Sequence, residues 1–181
     1  MAEQQAKIVS SKTLFKGSVF DVRRDEIIEP DGLRATREII THTGSVVVMP
    51  VFPNGDILLV RQFRYAAGES LWELVAGRKE PGESARAGAR RELLEESGYK
   101  ARRIRLLIEV IPTPGFLTET MAIFAAEGLK PGPAQPEADE HIVARRFSQK
   151  QLLDMIERGS VRDAKTIVGV LYYLRFVAKS R

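Results

Sequence analysis

Cysteine is absent from the 181 residues, so the chain forms no disulfide and supplies no thiolate nucleophile or ligand. Histidine is nearly absent: His42 and His141 are the only two, which argues against a zinc site. No long apolar run occurs. The most hydrophobic stretch, Val46 to Phe52, is too short to cross a bilayer and contains Pro50, and the N-terminal Met1 to Lys7 has no secretion-like apolar segment. Neither sign of charge dominates, since 28 basic residues meet 24 acidic ones for a net charge of +4. The basic pairs Arg23-Arg24, Arg102-Arg103 and Arg145-Arg146 are scattered and lack aromatic interleaving, so no nucleic-acid or membrane partner is expected. Together these absences lead us to expect a soluble, cytoplasmic protein with a weak preference for anionic ligands.

What is present is ordinary globular material, 44% hydrophobic and 29% charged, enough for one sizeable core and an arm. Val19 to Ile28 alternates loosely, Glu29-Pro30-Asp31-Gly32 supplies turn residues and Arg37 to His42 returns, which predicts a hairpin. Val46 to Phe52 and Asp56 to Tyr65 flank Pro53-Asn54-Gly55, a second hairpin signal. Leu71 to Ala76 predicts one short strand, Arg103 to Ile111 and Thr120 to Glu127 two more, and Ile142 to Phe147 a last one. Lys130 to Pro136 reads as a proline-rich loop, leading into the acidic run Glu137-Ala138-Asp139-Glu140. Ser148 with Gln151 opens a helix that Gly159 ends. Asp163 opens a final helix with an apolar stripe of Ile167, Val170, Leu171, Leu174 and Val177. This mixture of strands with segregated helices predicts an α+β or layered sandwich fold.

The most informative segment runs from Gly77 to Tyr99. It sets a turn-forming loop before a helix that carries Glu92, Glu95 and Glu96 at i, i+3 and i+4. At about 100° per residue these three acids share one helix face, where they repel one another unless something positive intervenes. A hard divalent cation with oxygen ligands is one such partner; Arg91, four residues before Glu95, is another. Arg91 also falls eight residues after Glu83, about two turns along one side, so an ion pair bracing the loop is expected. Gly77 and Gly82 allow the backbone to turn closely there.

The spacing Gly77-x5-Glu83-x7-Arg91-Glu92-Leu93-x-Glu95-Glu96-x-Gly98 resembles the Nudix box, the loop-helix of hydrolases that cleave a nucleoside diphosphate linked to another moiety. Tyr99 departs from it, standing where an aliphatic residue is usual. The resemblance implies an α/β/α sandwich of α+β class, with a mixed sheet between helices and an N-terminal β arm. It implies an arm over residues 1–43, exchanged in a homodimer, and a hydrolase domain over 44–181. It also implies Mg2+, with Mn2+ able to substitute, held by Glu92, Glu96 and the carbonyl of Ala76, while Glu95 bridges to a second ion and takes part in catalysis. A general base for water is then needed from elsewhere. Glu140 is our choice and Glu137 the reserve.

Outside the box, Arg37-Glu38, Val60 to Tyr65, Trp72 to Gly77 and Pro112 to Phe116 resemble the ADP-ribose pyrophosphatase branch of this family. Pro114 stands sixteen residues beyond Gly98, a placement associated with ADP-ribose specificity. Val75 departs, since many relatives have proline there. Carried over by position, Arg64 would hold the substrate phosphates and Arg78 would lie near them. Arg37 and Glu38 would contact ribose or base from the dimer partner, and Ser18 and Val19 would lie near the base. Thr113, Pro114 and Gly115 would form a loop from the other subunit, and Glu119 would stand beside the metals. The implied reaction is hydrolysis of ADP-ribose or a related nucleoside diphosphate sugar to a nucleoside monophosphate and a sugar phosphate. The alternatives are a nucleoside triphosphate, dinucleoside polyphosphate or capped-RNA hydrolase, and a non-catalytic ADP-ribose sensor. Sensors typically lose the metal-binding glutamates, which this chain retains.

Overall fold

A computed structural model describes residues 5–132 and 142–178. Its elements are β1 (Lys7–Lys16), β2 (Asp21–Ile28), β3 (Arg34–Thr41), β4 (Ser45–Pro50), β5 (Ile57–Arg64), β6 (Glu69–Glu73), β7 (Val75–Arg78), α1 (Ala85–Ser97), β8 (Tyr99–Val110), β9 (Met121–Pro131), β10 (Val143–Phe147), α2 (Gln149–Glu157) and α3 (Ala164–Phe176). They group into two compact units. One comprises residues 1–44 and 111–120; the other comprises 45–110 and 121–181.

The first unit is an antiparallel sheet in the order β1-β2-β3. The predicted hairpin forms, with Asp21 opposite Thr41 and Ile28 opposite Arg34. β1 pairs with β2, with register shifts between Ile8 and Ser10 and between Thr13 and Phe15. All ten β1 residues are exposed, including Ile8, Val9, Leu14 and Phe15. Residues 111–120 lie against the end of β3 through Ile40 N–H to Phe116 O and Thr118 N–H to Ile40 O.

The second unit carries the apolar core. Its mixed sheet has the order β7-β4-β9-β8, with β4 parallel to β9 and the other pairs antiparallel. A second sheet has the order β10-β5-β6. Strand period sends alternate side chains to opposite faces. Val46 and Val48 of β4 therefore pack with Ala89 and Leu93 of α1. Val47 and Met49 join Leu152 of α2 and Val170 and Tyr173 of α3 on the other side. This is the expected helix–sheet–helix sandwich of α+β class. Truncating a fully buried side chain such as Leu93 should cost about 2–5 kcal/mol.

Several local expectations are corrected. β4 and β5 are not a regular hairpin: the turn at Asn54-Gly55 forms, but a single bridge, Val51 to Ile57, precedes their divergence into separate sheets. Leu71 to Ala76 is two strands, because Leu74 hands the chain from β6, paired with β5, to β7, paired with β4. β9 continues through Lys130-Pro131, where a loop was expected, since its pairing with β8 extends to Tyr99 opposite Pro131. In α3 Leu171 is exposed; Val170 is buried and Ile167, Leu174 and Val177 pack partly buried against the same core as expected, with Thr166, Gly169 and Tyr173 buried beside them. Among the described residues no helix is long and apolar enough to cross a membrane.

Candidate active site

Helix α1 begins where Ser84 accepts a hydrogen bond from Ala87 N–H at 3.2 Å and ends where Gly98 adopts φ 68°. Alanine, leucine, arginine and glutamate fill most of its turns, and all have high helix propensity. Leu93 faces the core, and Glu92 and Glu96, one turn apart, are themselves buried at 8% and 7% exposure. Both are directed at β7. Ala76 N–H donates to Glu96 Oε2 at 3.3 Å. A Cβ built on Gly77 would fall on the Glu92 carboxylate, well inside the 3.0 Å that real contacts keep. Gly77 is thus a cradle for Glu92. Gly82 is glycine for a different reason: nothing crowds it, but its φ of 78° is left-handed.

Arg91 compensates two of the three acids. Arg91 Nη1 donates to Glu92 Oε1 at 2.6 Å and to Glu95 Oε2 at 2.9 Å. The expected brace is present too, from Arg91 Nε to Glu83 Oε1 at 3.2 Å and from Nη2 to Oε2 at 3.1 Å. Nη2 also reaches the carbonyl of Arg78 at 3.0 Å, tying helix to loop. Hydrogen bonding from Arg91 outweighs desolvation and holds the Glu83 carboxyl below the usual carboxylate range. The same bond to Glu83 leads the causes that raise Arg91, already a permanent cation.

A hard divalent ion takes oxygen donors, and Glu92, Glu95, Glu96 and the Ala76 carbonyl offer only oxygens. The glycine cradle that keeps Glu92 beside Ala76 fits such an ion. In this conformation Arg91 engages Glu92 and Glu95, and among the described residues no three acids or histidines converge into a closed cage.

Arg64, at the end of β5, lies within electrostatic reach of Glu96. Its Nε donates to Glu73 Oε1 at 2.7 Å and its Nη2 to Oε2 at 2.9 Å. That bond to Glu73, opposed by burial, raises the Arg64 pKa further. Glu73 is 2% exposed. Burial pushes its carboxyl up, but Arg64 and Lys165 together overcome this and hold it below its usual range. Sequence reading passed over Glu73, although a lone acid inside the apolar run Leu71-Trp72-Glu73-Leu74-Val75 signals a buried partner.

The remaining candidates among the described residues belong to the first unit, except Arg78, which is exposed at the end of β7. Arg37 and Glu38 leave opposite faces of β3. Arg37 Nη2 donates to Glu29 Oε1 at 2.6 Å, and Glu38 Oε1 accepts from Arg24 Nη2 at 2.6 Å. Ser18 and Val19 are exposed in the β1–β2 connection, and Pro114 and Gly115 are exposed in the 111–120 segment, with Thr113 half-buried. Thr113 O accepts from Leu117 N–H at 3.1 Å. Glu119 Oε1 stands 3.6 Å from His42 Nδ1. That nitrogen also accepts a hydrogen bond from Gly44 N–H at 3.0 Å. Glu137 and Glu140 lie outside the described residues.

A loop-helix with paired buried glutamates, carried on a sandwich of this topology, defines a class. The chain belongs to the Nudix family: the NUDIX domain profile matches residues 41–168. The profile described as nucleoside diphosphate sugar hydrolase N-terminal domain matches residues 7–40. Among individual relatives, the chain is 35% identical to an ADP-ribose pyrophosphatase of Mycobacterium tuberculosis, covering 94% of this chain and 84% of that protein. It is 32% identical to the ADP-ribose pyrophosphatase of Bacillus subtilis, with 95% and 94% covered. It is also 32% identical to a methanol dehydrogenase activator of Bacillus methanolicus, with 93% and 92% covered. A crystal structure of an ADP compounds hydrolase shares the fold at a TM-score of 0.86 and 22% identity, covering 99% of this chain and 98% of that one.

Proposed function

We propose that this protein hydrolyses the pyrophosphate of ADP-ribose or a related nucleoside diphosphate sugar, using Mg2+ or, in its place, Mn2+. Water adds to one phosphorus, the bridging P–O bond breaks, and a nucleoside monophosphate and a sugar phosphate leave. The reading is carried by Glu92 and Glu96, buried one helical turn apart and turned to Ala76-Gly77, with Arg64 in reach of the same site. Relatives named ADP-ribose pyrophosphatase support the choice of substrate.

In this reading Glu92, Glu96 and the Ala76 carbonyl would hold the divalent ion, and Glu95 would serve a second one. When bound there, the ion polarises phosphoryl oxygens and lowers the pKa of its water. The chain's own residues do the rest. Arg91 and Glu83 fix the loop against α1, and Gly77 leaves room for the Glu92 carboxylate. Arg64 and Arg78 receive phosphate oxygens, for which a planar guanidinium is suited. Glu140, or Glu137 in its stead, takes the proton from the attacking water. In the homodimer, Ser18, Val19, Arg37, Glu38, Thr113, Pro114 and Gly115 select the nucleoside and sugar, and Glu119 stands beside the metal site.

A cytoplasmic homodimer with exchanged arms belongs to the same proposal. Its support is β1, an edge strand with ten exposed residues and several large apolar side chains, a surface suited to covering by another copy. The test is a panel of ADP-ribose, ADP-glucose, GDP-mannose, a dinucleoside polyphosphate and nucleoside triphosphates, with Mg2+, with Mn2+ and with chelator. We expect chelator-sensitive release of AMP and ribose 5-phosphate. Preference for triphosphates or dinucleoside polyphosphates would reassign the substrate, and tight ADP-ribose binding without hydrolysis of any member would replace the enzyme by a sensor.

A further inference from the structure

We infer that Glu73 and Lys165 are positioning residues that hold Arg64 with one edge of its guanidinium open to a substrate phosphate. The inference rests on the reading above, in which Arg64 receives phosphate. It starts from hydrogen-bond geometry. An arginine has five N–H donors, and Glu73 takes the Nε–H and one Nη2–H, the side edge of the group. The end-on edge, formed by Nη1 and the second Nη2 hydrogen, lies outside that fork and has the spacing of two phosphate oxygens. Glu73 thus sets which way Arg64 faces.

One arginine would suffice to neutralise one buried carboxylate. Glu73 has a second cation: Lys165 Nζ donates to the same Oε2 that Arg64 Nη2 engages. Lys165, whose side chain is 13% exposed, is anchored in turn by Asp163 Oδ1 at 2.9 Å. Asp163 caps α3, its Oδ2 accepting from Thr166 N–H at 3.0 Å and from Thr166 Oγ1 at 2.5 Å. The Thr166 hydroxyl oxygen accepts from Leu74 N–H at 2.7 Å, two residues before Ala76. The first turn of α3 therefore reaches both arms of the site. Through Lys165 and Glu73 it fixes Arg64, and through Thr166 it fixes the strand leading to the glycine cradle.

Lys165 has an electrostatic consequence beyond packing. Sharing the Glu73 charge between two cations leaves Arg64 less completely neutralised, so its open edge keeps a positive field for an incoming pyrophosphate. Without Lys165, Arg64 becomes the sole counter-ion of a buried acid. It is then drawn toward Glu73 and its field is quenched.

The test compares K165M, K165R, E73Q and the double variant E73Q/K165M by steady-state ADP-ribose hydrolysis. Alongside, the Arg64 side-chain Nε–H resonance is followed in 15N-labelled protein, assigned by its disappearance in R64K. K165M should raise KM about tenfold while changing kcat less than about threefold, the pattern of lost uniform binding. K165R should restore most of that affinity. Against the E73Q background K165M should add no further loss, because it acts through Glu73. The Arg64 resonance should move in K165M and return in K165R. Should K165M not fold, the comparison of E73Q with the charge-balanced E73Q/K165M decides, a further rise in KM overturning the inference. A wild-type KM and an unmoved resonance in folded K165M also overturn it. If the native protein does not turn over ADP-ribose at all, the proposed function fails, and the Arg64 resonance decides the positioning role alone.

Discussion

Replacing Gly77 by alanine separates the stability of the fold from its chemistry. Gly77 is not among the glycines with positive φ, so its backbone accepts an alanine. What conflicts is the methyl group, which would occupy the place of the Glu92 carboxylate. The carboxylate is the far end of a flexible side chain, so it can swing aside without moving the backbone. Its 2.6 Å bond to Arg91 is then lost, which for a charge-assisted pair costs about 1–3 kcal/mol. The reduced freedom of the unfolded chain returns about 0.4–1 kcal/mol. The net loss is about 1–2 kcal/mol, or roughly 2–8 °C in Tm for a chain of this length. Function should suffer far more, since a displaced ligand abolishes the site where a disturbed supporting residue costs only about 10–100-fold in metal affinity. Thermal unfolding, Mn2+ titration by electron paramagnetic resonance and ADP-ribose turnover measure the three quantities. G77A with wild-type Mn2+ affinity and turnover would refute the assignment of Glu92, and a drop in Tm of tens of degrees would refute the view that only a side chain must move.

Glu96→Gln should remove most turnover, by about a hundredfold or more, while far-UV circular dichroism stays native, because a neutral amide is a poor ligand for a hard cation; near-normal activity would sink the metal assignment. Glu73 predicts an acid-side stability limit. Its folded pKa lies below the ordinary value of 4.5, so its contribution is fully present above that value and is lost as pH falls through the lower, folded one. Denaturant unfolding should therefore show native stability falling more steeply below about pH 4.5 than that of Glu73→Gln, and parallel curves would contradict the buried ion cluster. Sedimentation velocity should report two chains per particle, and Phe15→Asp on β1 should shift the equilibrium toward one; a fully active monomer would contradict exchanged arms.

The elements legible in the sequence were those whose causes are local. Ser148 with Gln151, and Asp163, each cap the helix expected of them. The brace between Glu83 and Arg91 forms as expected, although Glu83 stands in the turn before the Ser84 cap and not on the helix, so the turn at Gly82 brings it back to Arg91. Sheet membership is different, because a period of two looks the same whichever strand lies alongside. Leu71 to Val75 is one apolar run in sequence, yet Leu74 divides it between two sheets, and only pairing partners far along the chain decide where. The same distance hid Lys165, which meets Glu73 across 92 residues. Arg91 was assigned its bond to Glu83 but not its simultaneous hold on Glu92, since adjacent residues on a helix are not expected to face each other and only the long guanidinium bridges them.

β4 is sealed on both faces, with Val46, Val47, Val48 and Met49 each fully inaccessible, and β7 is hydrogen-bonded along it with Gly77 opposite Val46 and Ala76 opposite Val47. The cradle is thus moored to a strand segment with no solvent access, the kind of element that is last to open. Ligand capture at such a place does not have to order the chain first. Calorimetry of cofactor and nucleotide binding should accordingly show a small heat-capacity change, unlike the large negative one of coupled folding and binding. Chelation should silence the protein without melting it, in contrast to small domains that exist as folded bodies only while their metal is bound.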